Sequence, residues 1–257
     1  MKTELIQSHI YKMFYMPIID HLLQNDPDNI NIIYKYFVAG GCFKNLYKDE
    51  TPKDFDIFCW DESISLELIE LFEAVGWNEV PAWKSTKRAV SVLKAISPDF
   101  KPIMEKTYKP FENGPNIIIP RFTNLKHPEI PGTLQIIHKF SFNNVIDCIN
   151  SFDFTICMAG AYLKRVDFPE PLPNGETFSH NECVVETGKY FFEDMLTGRL
   201  RINKITFPVD SLRRAFRYSD YGYKPCKGVV KELADAIHNM PNEIYNNTTL
   251  SQFYMVD

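Results

Sequence analysis

Tyr36-Phe37-Val38-Ala39-Gly40-Gly41-Cys42-Phe43-Lys44-Asn45, followed shortly by Pro52-Lys53-Asp54-Phe55-Asp56-Ile57, is the stretch on which the fold turns. Tyr36 to Ala39 is an unbroken apolar run of the length of a buried strand. Gly40-Gly41 ends it and permits a tight turn with close backbone approach. Cys42 to Tyr47 reads as a short helix, and Lys48 to Lys53, polar and carrying Pro52, reads as a loop. Asp54 to Trp60 then alternates acidic and apolar residues, the pattern of a strand with two different faces.

That order carries chemistry. A strand sends alternate side chains to one face, so Asp54 and Asp56 project together while Phe55 and Ile57 point into a core. Two carboxylates so spaced can grip one Mg2+ or bridge two, and a glycine turn entering a helix suits a phosphate. Taken singly, Gly-Gly is more often a plain turn and Asp-x-Asp more often a solvated strand face. Strand, Gly-Gly, helix, loop and acid-alternating strand in succession are far more specific.

Outward from this centre, Thr3 to Gln24 has helical apolar spacing, with Pro17 expected to kink or restart the helix. Ile64, Leu68, Leu71, Phe72 and Val75 form the stripe of another helix, ending at Gly76. Residues 77 to 140 read as strands and loops, with strands expected at Arg88–Leu93, Asn116–Ile119 and Thr133–Phe140. A helix is expected from Asn144 to Asn150. Pro169-Glu170-Pro171-Leu172-Pro173-Asn174-Gly175 is the candidate linker, and the chain from about Tyr190 onward reads as mostly helical.

With 257 residues, 45% hydrophobic content and 11 glycines, the chain can bury a sizeable core. The net charge of −5 argues against a general nucleic-acid binder, whose affinity comes from neutralising phosphate. Six scattered cysteines without a C-x-x-C pair suggest neither a zinc site nor a redox motif. No signal segment or membrane-spanning run is apparent, so a cytoplasmic protein with free thiols is expected.

The quoted stretch resembles the signature of the polymerase-beta nucleotidyltransferase superfamily. It is most similar to the bacterial poly(A) polymerase and tRNA CCA-adding branch, whose pattern runs G-G-x-V-R-D and then K-D-[IF]-D. The resemblance implies Mg2+-binding, catalytic roles for Asp54 and Asp56, with two metals expected, and triphosphate contacts from Gly40, Gly41 and Lys44. Lys44 stands for the branch's arginine and Asn45 for an acid. Ser151-Phe152-Asp153-Phe154-Thr155-Ile156-Cys157-Met158-Ala159 is similar to the branch's R-R-D-F-T-I-N-A-M-A, which recognises the nucleotide sugar. Asp153 is kept, but Ser151 and Phe152 replace both arginines; Phe-Asp-Phe resembles small phage-encoded relatives. A helix cap is the lesser alternative for Asp153.

Asp210-Ser211-Leu212-Arg213-Arg214-Ala215-Phe216-Arg217-Tyr218 places Asp210, Arg213, Arg214 and Arg217 on one helical face and Leu212, Ala215, Phe216 and Ser219 on the other. Asp210 suits a helix cap or a partner for the arginines. The cations suit either a phosphate or a solvated surface. The segment resembles the branch's E-D-x-x-R and R-x-x-R-[FY], compressed and with Val209 for the glutamate; this implies nucleotide contacts from Asp210, Arg213, Arg214 and Arg217. The resemblance covers roughly residues 36–60 and 150–223. Gln135 and His138 lie on a strand where relatives often carry a third acid, but neither is an acid and no third ligand is expected there. Lys84, Lys87 and Arg88 form a small basic cluster, and Tyr218, Tyr221 and Tyr223 suit either base stacking or a core.

The expected fold is α+β: a nucleotidyltransferase-type mixed sheet with flanking helices over residues 1–168, then a smaller helical, nucleotide-contacting section over 176–257. The expected function is Mg2+-dependent transfer of a nucleotidyl group from a nucleoside triphosphate (NTP) to an acceptor hydroxyl, an RNA 3′ end being one candidate. The alternative is a catalytically altered nucleotide-binding or protein-interaction module, including a toxin or antitoxin type, for which the altered residues speak.

Overall fold

A computed structural model of the chain describes residues 2–80, 122–167 and 179–240. The expected strands at Arg88–Leu93 and Asn116–Ile119, the Lys84/Lys87/Arg88 cluster and the Pro169–Gly175 run lie outside the described residues. Two compact units divide the chain: Met1–Asn150 with Cys157–Gly188, and Ser151–Ile156 with Lys189–Asp257.

The first unit is built on its hydrophobic strand. β1 (Tyr36–Ala39) is buried along its whole length and pairs antiparallel with β2 (Asp54–Cys59) on one side. β6 (Ala159–Asp167) pairs antiparallel on its other side. Between β1 and β2 lies the short helix α3 (Cys42–Tyr47). β3 (Asn78–Glu79), β4 (Phe122–Lys126), β5 (Thr133–Ser141) and β7 (Ser179–Thr187) complete a sheet of order β3-β4-β5-β2-β1-β6-β7. Only β2 and β5 run parallel; the other pairings are antiparallel. The sheet is therefore mixed and flanked by helices, an α+β architecture.

One sheet face is sealed by the N-terminal helices. α1 (Lys2–Ile10) passes into a π-helical stretch at Tyr11–Tyr15, and α2 (Met16–Asn25) follows with Pro17 in its first turn. Pro17 has no N–H to give the preceding turn, and the wider π turn stands directly before it, with the Met16 N–H reaching the Tyr11 carbonyl. The π segment turns Phe14 and Tyr15 onto the sheet. Phe14 packs edge-on to Phe55 at 5.0 Å, and Tyr15 stacks on Tyr36 at 4.9 Å. Both buried phenols are satisfied: Tyr36 donates to the Phe14 carbonyl at 2.7 Å and Tyr15 to the Tyr36 carbonyl at 3.2 Å. α4 (Ser65–Ala74) adds Leu68, Ile69 and Phe72 to this core, with Phe72 edge-on to Trp77 at 6.2 Å.

On β5, Leu134, Ile136 and His138 alternate inward. His138 shares a 2.8 Å hydrogen bond through Nε2 with Thr123 Oγ1, and its Nδ1 has no partner. Burial pulls the imidazole pKa down to about 4, so this ring is neutral near pH 7. β5 approaches β2 through Gly132, whose φ of +97° and lack of a side chain both matter. A Cβ there would lie 2.9 Å from the Pro52 carbonyl and 3.1 Å from that of Lys53. Gly132→Ala is expected to cost about 2 kcal/mol, read by urea unfolding. An unchanged midpoint would mean that the crossing relaxes freely.

The second unit contains α6 (Phe191–Thr197), α7 (Pro208–Asp220) and α8 (Lys227–His238), with β8 (Arg199–Leu200) pairing parallel to β9 (Lys224–Pro225). Phe154, from the Ser151–Ile156 segment, is fully buried and packs edge-on to Tyr218 at 5.7 Å. The packed face of α7 carries Ser211 and Ala215. Phe216, expected on that face, is 64% exposed. Ser211 takes the inward position instead and is fully buried. The 176–257 stretch opens with β7, a strand of the sheet unit, so the helical part begins beyond Gly188.

Candidate functional site

β2 shows a gradient of burial along one face. Asp54 is exposed, Asp56 is half-buried and Phe58 is buried, while Phe55 and Ile57 lie in the core on the opposite face. Register sets Ala39 opposite Asp56, so the chain leaves β1 for Gly40-Gly41 one step beyond that pair. Gly40 has φ +104°, open to glycine and strained for other residues, and its N–H donates to the Ala159 carbonyl at 2.9 Å. Gly41 is the first residue before α3. Two carboxylates and a glycine turn are thus gathered at one end of β1 and β2.

The far end of this face is closed by aromatics: Phe37 stacks on Phe58 at 5.7 Å, and Phe58 meets Phe142 edge-on at 5.8 Å. α5 (Val145–Ser151) lies close over Gly160, where a Cβ would come within 2.8 Å of Val145 Cγ1 and 3.2 Å of Ala39 Cβ. Cys42 and Cys148 are both buried, and burial followed by the charge of Asp56 pushes both thiols upward. Both are therefore protonated, unreactive thiols near neutral pH.

Asp56 pays for that setting with an unfavourable charge. Burial, then the neighbouring Asp54, pushes its pKa up to about 7. The folded state thus holds this proton more tightly than the unfolded chain, and stability falls as pH rises from about 4 to 7. His138 has the opposite slope: its depressed pKa makes stability fall as pH drops from about 6.5 to 4. Asp56→Asn, without divalent cations, is expected to stabilise the protein at pH 8 by at most about 4 kcal/mol and to change little at pH 4. Melting in EDTA at the two pH values checks this; equal shifts at both would refute the assignment.

Lys44 is only 8% exposed, and its ammonium donates to the Gly41 carbonyl at 3.2 Å and to Asn45 Oδ1 at 2.6 Å. It ties the glycine turn to the start of α3. Asn45 in turn donates to Glu50 at 2.9 Å. Gln135 pairs in register with Asp56 and shares its face, whereas His138 faces the core. Among the described residues, no group of three or more His, Cys, Asp or Glu side chains gathers in a form that could hold a metal. Two carboxylates at alternate strand positions are nonetheless hard oxygen donors of the kind Mg2+ prefers.

The remaining expected site residues belong to the second unit. Asp153 caps no α-helix; its Oδ2 accepts from Arg214 Nε at 2.7 Å and Nη2 at 2.6 Å. Its carbonyl accepts the Asn203 N–H at 2.7 Å. Asp210 lies inside the first turn of α7, with Phe207 at the cap, and stands 4.0 Å from Arg213. Arg217 is exposed. The sequence reading missed Asp194, which is fully buried. It accepts from Thr155 Oγ1 at 2.6 Å and from Arg201 Nη2 at 3.1 Å. Arg201 also lies 3.8 Å over the Tyr190 ring and 2.9 Å from Glu193. The one available signal was an acid followed within a few residues by Arg199 and Arg201.

A family model described as Gabija anti-defense 2 family protein matches residues 10–197. No curated protein matches the chain. Among solved structures, a Thermotoga maritima CCA-adding enzyme complexed with tRNA is similar at 15% identity and TM-score 0.44, covering 86% of this chain and 45% of that one. A CCA-adding enzyme with CTP is similar at 15% identity and TM-score 0.46, covering 89% and 47%. The Bacillus stearothermophilus CCA-adding enzyme in complex with CTP gives 12% identity and TM-score 0.41, covering 85% and 41%. The chain spans less than half the length of these proteins. No helix among the described residues is long and apolar enough to cross a membrane.

Proposed function

The chain belongs to the Gabija anti-defense 2 family, and from that premise we propose a counter-defence protein that works through a nucleotidyltransferase site. Its substrate is a nucleoside triphosphate and its cofactor Mg2+: an acceptor hydroxyl attacks the α-phosphorus, the α–β phosphoanhydride breaks, and the nucleotidyl group is joined to the acceptor as pyrophosphate leaves. An RNA 3′ end is the acceptor that the sequence resemblance suggests. The observation that carries this reading is the pairing of Asp54 and Asp56 on one face of β2, at the register step where β1 gives way to Gly40-Gly41.

Asp54 and Asp56 would hold Mg2+, which when bound neutralises the polyphosphate and makes the acceptor hydroxyl more acidic. Gly40 and Gly41 let the backbone come close to the phosphates, and Lys44 keeps that turn in place through the Gly41 carbonyl. Arg213 and Arg217 are the second unit's candidates for nucleotide contacts, with Asp153 fixing Arg214.

The second reading is a nucleotide-binding or interaction module without turnover. It is favoured by the internal engagement of Lys44 and Arg214, two cations that the sequence resemblance gave to substrate. One experiment separates the readings. The protein is incubated with each α-labelled triphosphate, Mg2+ and cell extract, and label is sought in RNA and in protein. Transfer that disappears in Asp54→Ala/Asp56→Ala supports catalysis. Relief of Gabija defence in cells by that same double variant, with no label transferred by the wild type, supports the module.

A further inference from the structure

Register fixes a row of side chains across the sheet at Asp56. β5 sets Gln135 beside Asp56, and β4 sets Asn124 beside Gln135. Residues paired across neighbouring strands project from the same face. Asp56, Gln135 and Asn124 therefore form one polar row, with Asp54 and its partner Thr133 one pleat further along. Gln135 is half-buried, and no hydrogen bond ties its amide to a described residue. Asn124 Oδ1 is buried with no partner. Both amides are polar groups that the protein itself leaves unused, next to the carboxylate pair.

The charge count is as informative as the placement. Among the described residues no third acid joins Asp54 and Asp56 in a cluster that could hold a metal. Two carboxylates balance one divalent cation. A second such ion in a half-buried setting would leave excess positive charge, which only the anionic oxygens of a substrate could balance. Resting on the carboxylate site proposed above, we propose that the chain itself holds one divalent cation, with Asp54 and Asp56 as charged ligands and the Gln135 amide oxygen as a neutral third. A second ion then enters only with the triphosphate. An amide oxygen suits a hard cation and adds a ligand without adding charge. The protein's true substrate is accordingly the metal–triphosphate complex.

The test uses the full chain at pH 8, with Mn2+ as the probe and free Mn2+ followed by electron paramagnetic resonance. The wild type is expected to bind one ion alone and two with a non-hydrolysable triphosphate. Gln135→Leu is expected to weaken the first ion about tenfold without changing the melting temperature. Gln135→Glu, which supplies the missing carboxylate, is expected to admit a second ion without nucleotide. Two ions or none in the nucleotide-free wild type would overturn the proposal, as would unchanged affinity in Gln135→Leu or a single ion in Gln135→Glu. Asp56→Asn separates the two levels: if it binds Mn2+ as the wild type does, the carboxylate site itself is wrong, whatever Gln135 does.

Discussion

Replacing Asp54 and Asp56 together by alanine is expected to abolish Mg2+-dependent pyrophosphate release, a loss of about 10^3-fold or more. The size follows from what the pair does: without it, nothing on this face of β2 carries the charge to hold a cation against the polyphosphate. The fold should survive, because Phe55 and Ile57 on the opposite face hold β2 in the core. Asp54 is exposed, and Asp56 destabilises the metal-free protein above neutral pH. A coupled pyrophosphate assay with a parallel thermal melt reads both effects. Release within a few-fold of the wild type would remove these residues from the reaction.

The largest expected loss of stability lies in the second unit, at Asp194. Its carboxylate is fully buried and held by Thr155 Oγ1 at 2.6 Å, Arg201 Nε at 3.1 Å and Arg201 Nη2 at 3.1 Å. Asp194→Ala strands a partly buried guanidinium and a buried hydroxyl together, at a cost of about 3 kcal/mol. Arg201 keeps Glu193 at 2.9 Å, which limits the damage. Glu193→Ala removes only exposed ion pairs and should cost about 1 kcal/mol or less. Denaturant unfolding of the two variants gives the comparison. Equal midpoints would mean that water or a shifted side chain replaces the Asp194 contacts.

The centre of the fold was legible because several local signals agreed there. The apolar run, Gly-Gly, the proline-marked loop and the acid alternation bound β1, α3 and β2 within a residue of their positions. β4 and β6 left no such trace. Phe122–Lys126 has only Phe122 and Leu125 as apolar residues, and β6 opens with Ala159-Gly160-Ala161. Gly160 among them serves the close approach of α5, a demand of packing that no local pattern records. α7 shows the same limit: helical periodicity gave two faces, but Ser211 and Ala215 are buried and Phe216 is left outside. Asp194 left only a faint trace for a related reason, since its partner Thr155 is remote in sequence.

The most direct test of the account is where a metal-bound triphosphate sits. Crystals grown with Mn2+ and a non-hydrolysable nucleoside triphosphate would reveal the ion by anomalous scattering. The expected peak lies within direct coordination distance, about 2.2 Å, of a carboxylate oxygen from both Asp54 and Asp56, with the phosphates against the Gly40-Gly41 turn. Nucleotide and manganese found together elsewhere, with neither aspartate engaged, would contradict it.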